Sequence, residues 1–170
     1  MMLVLSGEKG CGKTTLLRDL LTDHHVRAQG FLSVKDILDG VVKGISLITL
    51  PEHRVLPMAT TTPMMTDVST GKYYFYPGIF ELINRHFQRI RPNLPFIFDE
   101  FGPLEMQQKG HYPVFSCLQK HAEHTLVVVR SDLREIFLDK FCVAFPVIQM
   151  DLDLEDSGAV RACVLAFLNK

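Results

Sequence analysis

The sequence has few of the features that mark secreted, zinc-binding or membrane-spanning chains. Its 170 residues include four scattered cysteines and no C-x-x-C spacing. This argues against a disulfide framework or a zinc site and favours a reducing compartment. No apolar run approaches the roughly 18 residues that cross a membrane, and no positively charged segment precedes the first apolar run. We therefore expect a cytoplasmic protein without a membrane partner.

The chain also lacks an excess of positive charge. Its 18 Lys and Arg residues face 19 Asp and Glu residues, and no basic run is present. Binding to DNA through release of counterions requires clustered cations, so we expect no DNA partner, while an RNA or protein partner stays open. A hydrophobic fraction of 47% is enough for a core. The length predicts a single domain over residues 1–170.

One segment carries a specific signal for phosphate binding. Residues 7–14, GEKGCGKT, match the pattern G-x-x-x-x-G-K-[ST] at every fixed position. An apolar, strand-like run precedes the loop, and leucines at helical spacing follow it, which is the context that the motif requires. Its glycines let successive backbone N–H groups point at phosphate oxygens, and the start of the helix adds positive field.

The motif predicts roles for individual residues. Lys13 would reach the β and γ phosphates, and the Thr14 hydroxyl would ligate the Mg²⁺ that arrives with the nucleotide. Thr15 would assist at the α phosphate. Glu8 and Lys9 receive no individual role. Cys11 could be a thiol with a lowered pKa that is open to oxidation, but a plain small loop residue is favoured. The predicted nucleotide-binding residues are Gly7, Glu8, Lys9, Gly10, Cys11, Gly12, Lys13, Thr14 and Thr15.

Hydrophobic patterning predicts an α/β protein. A helix should follow the loop and end near residues 23–25. Three strands, with a turn at Asp39-Gly40 and another at Pro51-Glu52, should then form an antiparallel meander. The predicted strands are residues 2–6, 30–34, 41–50, 53–58, 72–76, 96–99, 125–130 and 146–151, and the later helices start at residue 77 or span 112–123, 131–141 and 155–168. We expect a three-layer, mostly parallel sheet with an antiparallel hairpin addition and a ligand crevice at the carboxyl ends of its strands.

Two acids end the apolar strand at residues 96–99. Because neighbouring side chains of a strand point to opposite sides, Asp99 would hold Mg²⁺ through its water shell, and Glu100 would orient or deprotonate an attacking water. Arg130 ends the next predicted strand. It would act either as an internal arginine finger on the γ phosphate or as part of a surface ion pair. Glu105 would support the magnesium shell or Lys13, or else cap a helix.

Four other features allow a functional and a structural interpretation. His121 and His124 could share a helical face as metal ligands, but a solvated helix end is favoured because no third ligand follows. An acidic segment at residues 151–156 resembles part of a calcium loop with the wrong offsets, which favours helix capping. The aromatic residues 73–76 would stack on a base or enter the core, and residues 60–71 would form a loop that could close over the site.

The acidic segment at residues 99–105, DEFGPLE, resembles the motif D-E-[aliphatic]-G-x-[M/L]-E of a family of small nucleoside-triphosphatases first described from thermophiles. The phosphate loop, the hairpin after Gly30 and the order of the later elements resemble the same family. The resemblance implies a RecA-like P-loop fold and slow, magnesium-dependent hydrolysis of several nucleoside triphosphates to diphosphate and phosphate. The chain departs from the family pattern at residues 35–36, 130–132 and 153–156.

The sequence thus predicts a nucleoside-triphosphatase that takes ATP or GTP with Mg²⁺. Its predicted catalytic residues are Lys13, Glu100 and Arg130, and its predicted metal ligands are Thr14 and Asp99. A small-molecule kinase is one alternative, in which Asp99 or Glu100 activates an acceptor hydroxyl, although no arginine-rich lid is evident. A nucleotide-gated binding module with little turnover is the other.

Overall fold

The structure is a computed structural model and describes residues 1–121, 124–143 and 146–170. Its strands are β1 Met2–Ser6, β2 Gln29–Leu38, β3 Val41–Leu50, β4 Val55–Thr60, β5 Ser69–Thr70, β6 Tyr73–Phe75, β7 Phe96–Phe101, β8 Thr125–Val129 and β9 Val147–Asp151. Its helices are α1 Lys13–Asp23, α2 Ile79–His86, α3 Pro103–Met106, α4 Tyr112–His121, α5 Ser131–Phe141 and α6 Ser157–Leu168.

Within the described residues, all strands join one sheet in the order β5-β6-β4-β3-β2-β7-β8-β1-β9. Five neighbouring strands of this sheet are parallel, in the order β2-β7-β8-β1-β9, so β8 lies between β1 and β7. The carboxyl ends of these strands therefore share one edge of the sheet. That edge brings together the residues that follow β1, the acids of β7 and the residue after β8, as predicted.

The other part of the sheet is an antiparallel extension formed by β3, β4, β5 and β6 beside β2. The predicted turn joins β2 to β3, and Asp39 and Gly40 both have positive φ angles, 50° and 74°. This is the geometry of a two-residue hairpin turn, which matches the natural twist of the strands. Pairing with β3 continues up to this turn, so β2 extends four residues beyond the predicted residue 34.

Helices cover both faces of the sheet and give the predicted three layers. Strand β1 shows why, because its apolar side chains alternate between two cores. Leu3 and Leu5 pack with side chains of α1 and α6, such as Leu17 and Val164. On the opposite face, the second core contains several phenylalanines of β2, β7, α4 and α5: Phe31, Phe96, Phe98, Phe101, Phe115 and Phe137.

Several predicted bounds differ from those observed. Helix α2 ends at His86, so Ile90 lies beyond it. Helix α6 starts at Ser157, two residues later than predicted, because the Asp156 carboxylate caps it by accepting a hydrogen bond from the backbone of Ala159. The predicted end of α4, residues 122–123, lies outside the described residues. None of the helices in the described ranges has the length and apolar character needed to cross a membrane.

Candidate active site

The loop between β1 and α1 has the backbone geometry of a phosphate cradle. Gly10 and Gly12 have φ angles of 90° and 104°, a region that side chains rarely allow. Gly12 precedes α1 directly, and no side chain caps the first turn of the helix. The first N–H groups of α1 therefore keep their hydrogen-bonding capacity for an anion.

Lys13, the first residue of α1, bends back over this loop. Its Nζ donates to the carbonyl oxygens of Gly7, at 2.6 Å, and Glu8, at 2.7 Å, and lies 3.5 Å from the Cys11 sulfur. The side chain is buried. Because the backbone carbonyls hold the ammonium group in position, the cation already stands at the loop that would receive phosphate.

The next residue of α1 connects the loop to β7. The Thr14 hydroxyl donates to Oδ2 of Asp99 at 2.8 Å, and the same oxygen accepts from the backbone N–H of Ser33 at 3.0 Å. Asp99 is only 1% exposed, and its Oδ1 has no hydrogen-bond partner among the described residues. Burial raises the pKa of Asp99 to about 7; the charge of Glu100 acts in the same direction, while the Ser33 and Thr14 hydrogen bonds oppose it.

These oxygen atoms are a suitable donor set for a magnesium ion. Mg²⁺ prefers oxygen ligands, and in nucleotide sites it takes one or two from the protein and the rest from phosphates and water. A buried carboxylate oxygen without a partner, beside the Thr14 hydroxyl, fits that requirement. Across the described ranges, no group of three or more His, Cys, Asp and Glu side chains could hold a metal ion by itself.

Glu100 follows Asp99 in β7. Asp99 is buried and contacts Thr14 of α1, whereas Glu100 is exposed, and both acids line the cavity described below. Burial raises the pKa of the Tyr73 hydroxyl, and the charge of Glu100 raises it further, so the Glu100 carboxylate is close enough to act on β6. A register shift between Asp99 and Phe101 interrupts the regular alternation of β7 at Glu100, so the opposite orientation of the two acids stays a prediction.

Arg130 follows β8 and lines the same cavity as Lys13. Its guanidinium donates twice to Asp132, with N–O distances of 3.0 and 2.6 Å. Of the two roles predicted for Arg130, the ion pair is thus formed in this structure. The next residue, Ser131, donates its backbone N–H to the carbonyl of Gly7 at 3.1 Å, which ties the start of α5 to the phosphate loop.

Glu105 makes the helix-capping contacts that were one of its predicted roles. Its Oε2 accepts from the backbone N–H of Gly102 at 3.1 Å, and its Oε1 accepts from that of His111 at 2.9 Å. Both carboxylate oxygens are therefore used to cap α3 and to fix the loop before α4. Burial nevertheless raises the pKa of this carboxyl group above its usual range.

The acidic segment after β9 supports the phosphate loop from behind. The Asp151 carboxylate accepts from the Ser6 hydroxyl at 2.7 Å and pairs with Arg134 at 3.0 Å. Burial acts to raise the pKa of Asp151, but the hydrogen bond from Ser6 and the charge of Arg134 outweigh it, and the pKa is lowered. Asp153 accepts a hydrogen bond from the backbone N–H of Glu8. These contacts explain the acids without a calcium ion.

A cavity of about 550 Å³ extends from the phosphate loop, within the size range of small-molecule sites. One part is polar and contains the loop, Asp99, Glu100 and Arg130. The other part, which we call the aromatic chamber, was not predicted from the sequence, because its residues come from separate elements and form no motif. It is defined by Phe31, Met58, Tyr73, Phe75, Phe80 and His111.

Three predicted features remain: the aromatic residues 73–76, the loop at residues 60–71 and the histidines at positions 121 and 124. Tyr73 lines the cavity and Phe75 is buried, whereas Tyr76 is exposed. Thr70 and Gly71, at the end of the predicted mobile loop, also line the cavity. The His124 ring contacts Phe167, with ring centres 5.7 Å apart, and the side chain of its predicted partner at residue 121 lies outside the described set.

Three features together define a P-loop protein of the nucleoside-triphosphatase type: the strand order of the parallel part of the sheet, the loop geometry and the Thr14–Asp99 contact. The chain belongs to the NTPase family, whose model matches residues 2–161. Its fold is similar to that of THEP1 from the hyperthermophile Aquifex aeolicus, with 18% identity, a TM-score of 0.70 and full coverage of both chains.

A second solved structure has the same fold. A human cancer-related nucleoside triphosphatase aligns with a TM-score of 0.63 and 17% identity over 97% of this chain and 95% of its own. At these identities the two structures establish the fold, and the RecA-like P-loop architecture that the sequence predicted is confirmed. No protein with a curated description matches the chain.

Proposed function

We propose that the protein hydrolyses nucleoside triphosphates, ATP or GTP among them, to the diphosphate and phosphate in a magnesium-dependent reaction. Membership of the NTPase family supports the activity in general. The observation that carries the proposal is the contact between the phosphate loop and the buried Asp99 through Thr14, with the exposed Glu100 next to Asp99 on β7.

In the proposed complex the loop at residues 7–14 binds the phosphate chain through its backbone N–H groups. Lys13 leaves its carbonyl partners, or shares them, to contact the β and γ phosphates, and Thr15 contacts the α phosphate. All of these contacts are made to groups that every nucleoside triphosphate has. We therefore expect broad base specificity.

Thr14 and Asp99 are the residues that would hold Mg²⁺, Thr14 through its hydroxyl oxygen and Asp99 through the water shell. When bound, the ion would supply positive charge that offsets the negative charge of the phosphates. The buried Oδ1 of Asp99, which has no partner among the described residues, supports this assignment because a buried acceptor without a hydrogen bond costs free energy.

Hydrolysis requires a water molecule aligned opposite the leaving diphosphate. We assign its orientation and deprotonation to Glu100, since its exposed carboxylate faces the cavity. Lys13 stabilises the charge that develops on the phosphoryl oxygens. Arg130 adds to this stabilisation when its guanidinium leaves Asp132 and contacts the phosphate. The need for that exchange is consistent with slow turnover.

Phosphate release from ATP, GTP, CTP and UTP with Mg²⁺ tests the proposal. Lys13→Ala should reduce release to background, whereas Lys140→Ala, which removes an exposed lysine from α5, should behave as the wild type. Equal release from Lys13→Ala and the wild type would show that the activity does not belong to this site. Nucleotide binding without phosphate release would instead indicate a binding module.

A further inference from the structure

The aromatic chamber has no part in the proposed hydrolysis. Phe31 of β2 and Met58 of β4 line it from the sheet. Phe75 and Phe80 close one side, with ring centres 4.9 Å apart. This half of the cavity is thus lined by apolar groups that phosphate and water do not require.

The chamber lies on the γ-phosphate side of the loop. In the proposed complex, Thr14 and Asp99 would hold the metal ion at the β and γ phosphates, so their contact gives the expected position of these groups. Ser33, which donates to Asp99, lies on β2, and the charge of Glu100 contributes to the raised pKa of Tyr73 in the chamber wall. In the proposed complex the nucleoside would extend from the α phosphate, away from these acids. The chamber is therefore placed for a second molecule.

The chamber wall indicates the kind of molecule. The His111 ring contacts Phe31 and Phe80, at centre distances of 5.1 and 4.9 Å. Burial lowers the pKa of His111 to about 3, so the ring is neutral at physiological pH. Its Nδ1 is buried and has no hydrogen-bond partner among the described residues. Neutral aromatic walls suit an uncharged aromatic body, and the free ring nitrogen suits a polar group on it.

We propose that the aromatic chamber binds a small, uncharged aromatic or heteroaromatic alcohol as an acceptor for the γ-phosphoryl group. The acceptor oxygen forms a bond to the γ phosphorus, and the bond from that phosphorus to the β–γ bridging oxygen breaks with its electron pair on the nucleoside diphosphate. The hydroxyl proton goes to Glu100 and then to solvent. Water takes the acceptor position when the chamber is empty. The proposal rests on the nucleotide site of the proposed function.

The test blocks the chamber and leaves the phosphate loop intact. Ile45 of β3 lines the cavity and packs against the core cluster that contains Phe31, Met58 and Phe75 of the chamber, so Ile45→Trp should fill the chamber. Val55→Trp, at a position of β4 that is 61% exposed, is the matched control. Ile45→Phe is a smaller block in case the larger side chain prevents folding, which circular dichroism reports.

The probes are benzyl alcohol, 2-phenylethanol, adenosine, guanosine, cytidine and uridine, each incubated with γ-labelled ATP and Mg²⁺. We expect the wild type and Val55→Trp to transfer label to at least one probe. The Ile45 variants should lose about tenfold or more of this product while phosphate release without a probe is unchanged.

Three results overturn the proposal. The first is phosphate release while no probe becomes labelled, and the second is equal transfer by the Ile45 variants and the wild type. The third is a loss of nucleotide binding in the Ile45 variants that depends on the base. The last would make the chamber a base site. Phosphate release in the absence of a probe reports the proposed hydrolysis separately. Transfer without hydrolysis would support the acceptor chamber and refute the hydrolase.

Discussion

Replacing His111 with phenylalanine should change how the stability of the protein depends on pH. The His111 ring is buried among Phe31, Phe80 and Met58, and its Nε2 lies 3.4 Å from the Met58 sulfur. Glu105 accepts a hydrogen bond from the backbone N–H of His111 and not from its ring. In the described part of the chain, no carboxylate is hydrogen-bonded or ion-paired to the imidazole.

The expected magnitude follows from the pKa of His111, which burial lowers from 6.5 to about 3. Protonation is thus easier in the unfolded chain than in the folded protein. The contribution of a neutral His111 to stability is fully present above the ordinary pKa and is lost as the pH falls toward the folded-state pKa. Between about pH 6 and about pH 4 the free energy of unfolding should fall by about 2.5 kcal/mol because of this residue.

Urea unfolding measured across this pH range checks the prediction. His111→Phe should flatten the pH dependence by about that amount, while His24→Phe, at an exposed position, should leave the wild-type slope. Parallel curves for the wild type and His111→Phe would refute the reasoning, because they would mean that His111 titrates normally in the folded protein.

Two further predictions concern residues around the site. Each carboxylate oxygen of Glu105 accepts one backbone N–H, and Glu105→Gln replaces one of these oxygens by an NH₂ donor. We therefore expect the free energy of unfolding to fall by about 2 kcal/mol and Tm by about 4–8 °C. Glu81→Gln, on the surface, should change Tm little, and an unchanged Tm in Glu105→Gln would refute the capping role. Arg130→Ala should lower turnover by about tenfold or more, whereas Asp132→Asn, which frees the guanidinium, should not. Turnover at the wild-type rate in Arg130→Ala would show that Arg130 acts only in its ion pair with Asp132.

Local signals in the sequence predicted much of the fold. The turn at Asp39-Gly40 specifies its own hairpin, and β3 has the predicted bounds, Val41–Leu50, because turn residues flank a continuous apolar run. The two-residue strand β5 and the short helix α3 were not predicted, since neither is long enough to show a period. The order of the parallel strands depends on packing between distant segments, which a single sequence does not display.

The residues of the site can also be divided into those that local sequence patterns predict and those that depend on contacts between distant segments. The phosphate loop and the Asp99-Glu100 pair are each contiguous in sequence, so their motifs could be recognised directly, whereas the register shift of β7 at the acid pair could not. The role of Glu105 depends on His111, six residues away in a loop, and the support given to Glu8 by Asp153 joins opposite ends of the chain. The aromatic chamber draws its walls from several elements and left no pattern. The single-domain assignment and the cytoplasmic location stay predictions.

Parallel measurement of nucleotide affinity and phosphate release in Glu100→Gln tests the central claim most directly. The substitution keeps the size of the side chain and removes its ability to accept a proton. If Glu100 orients and deprotonates the attacking water, the variant should bind Mg-ATP about as tightly as the wild type and release phosphate about 100-fold more slowly. Phosphate release at the wild-type rate would contradict the account.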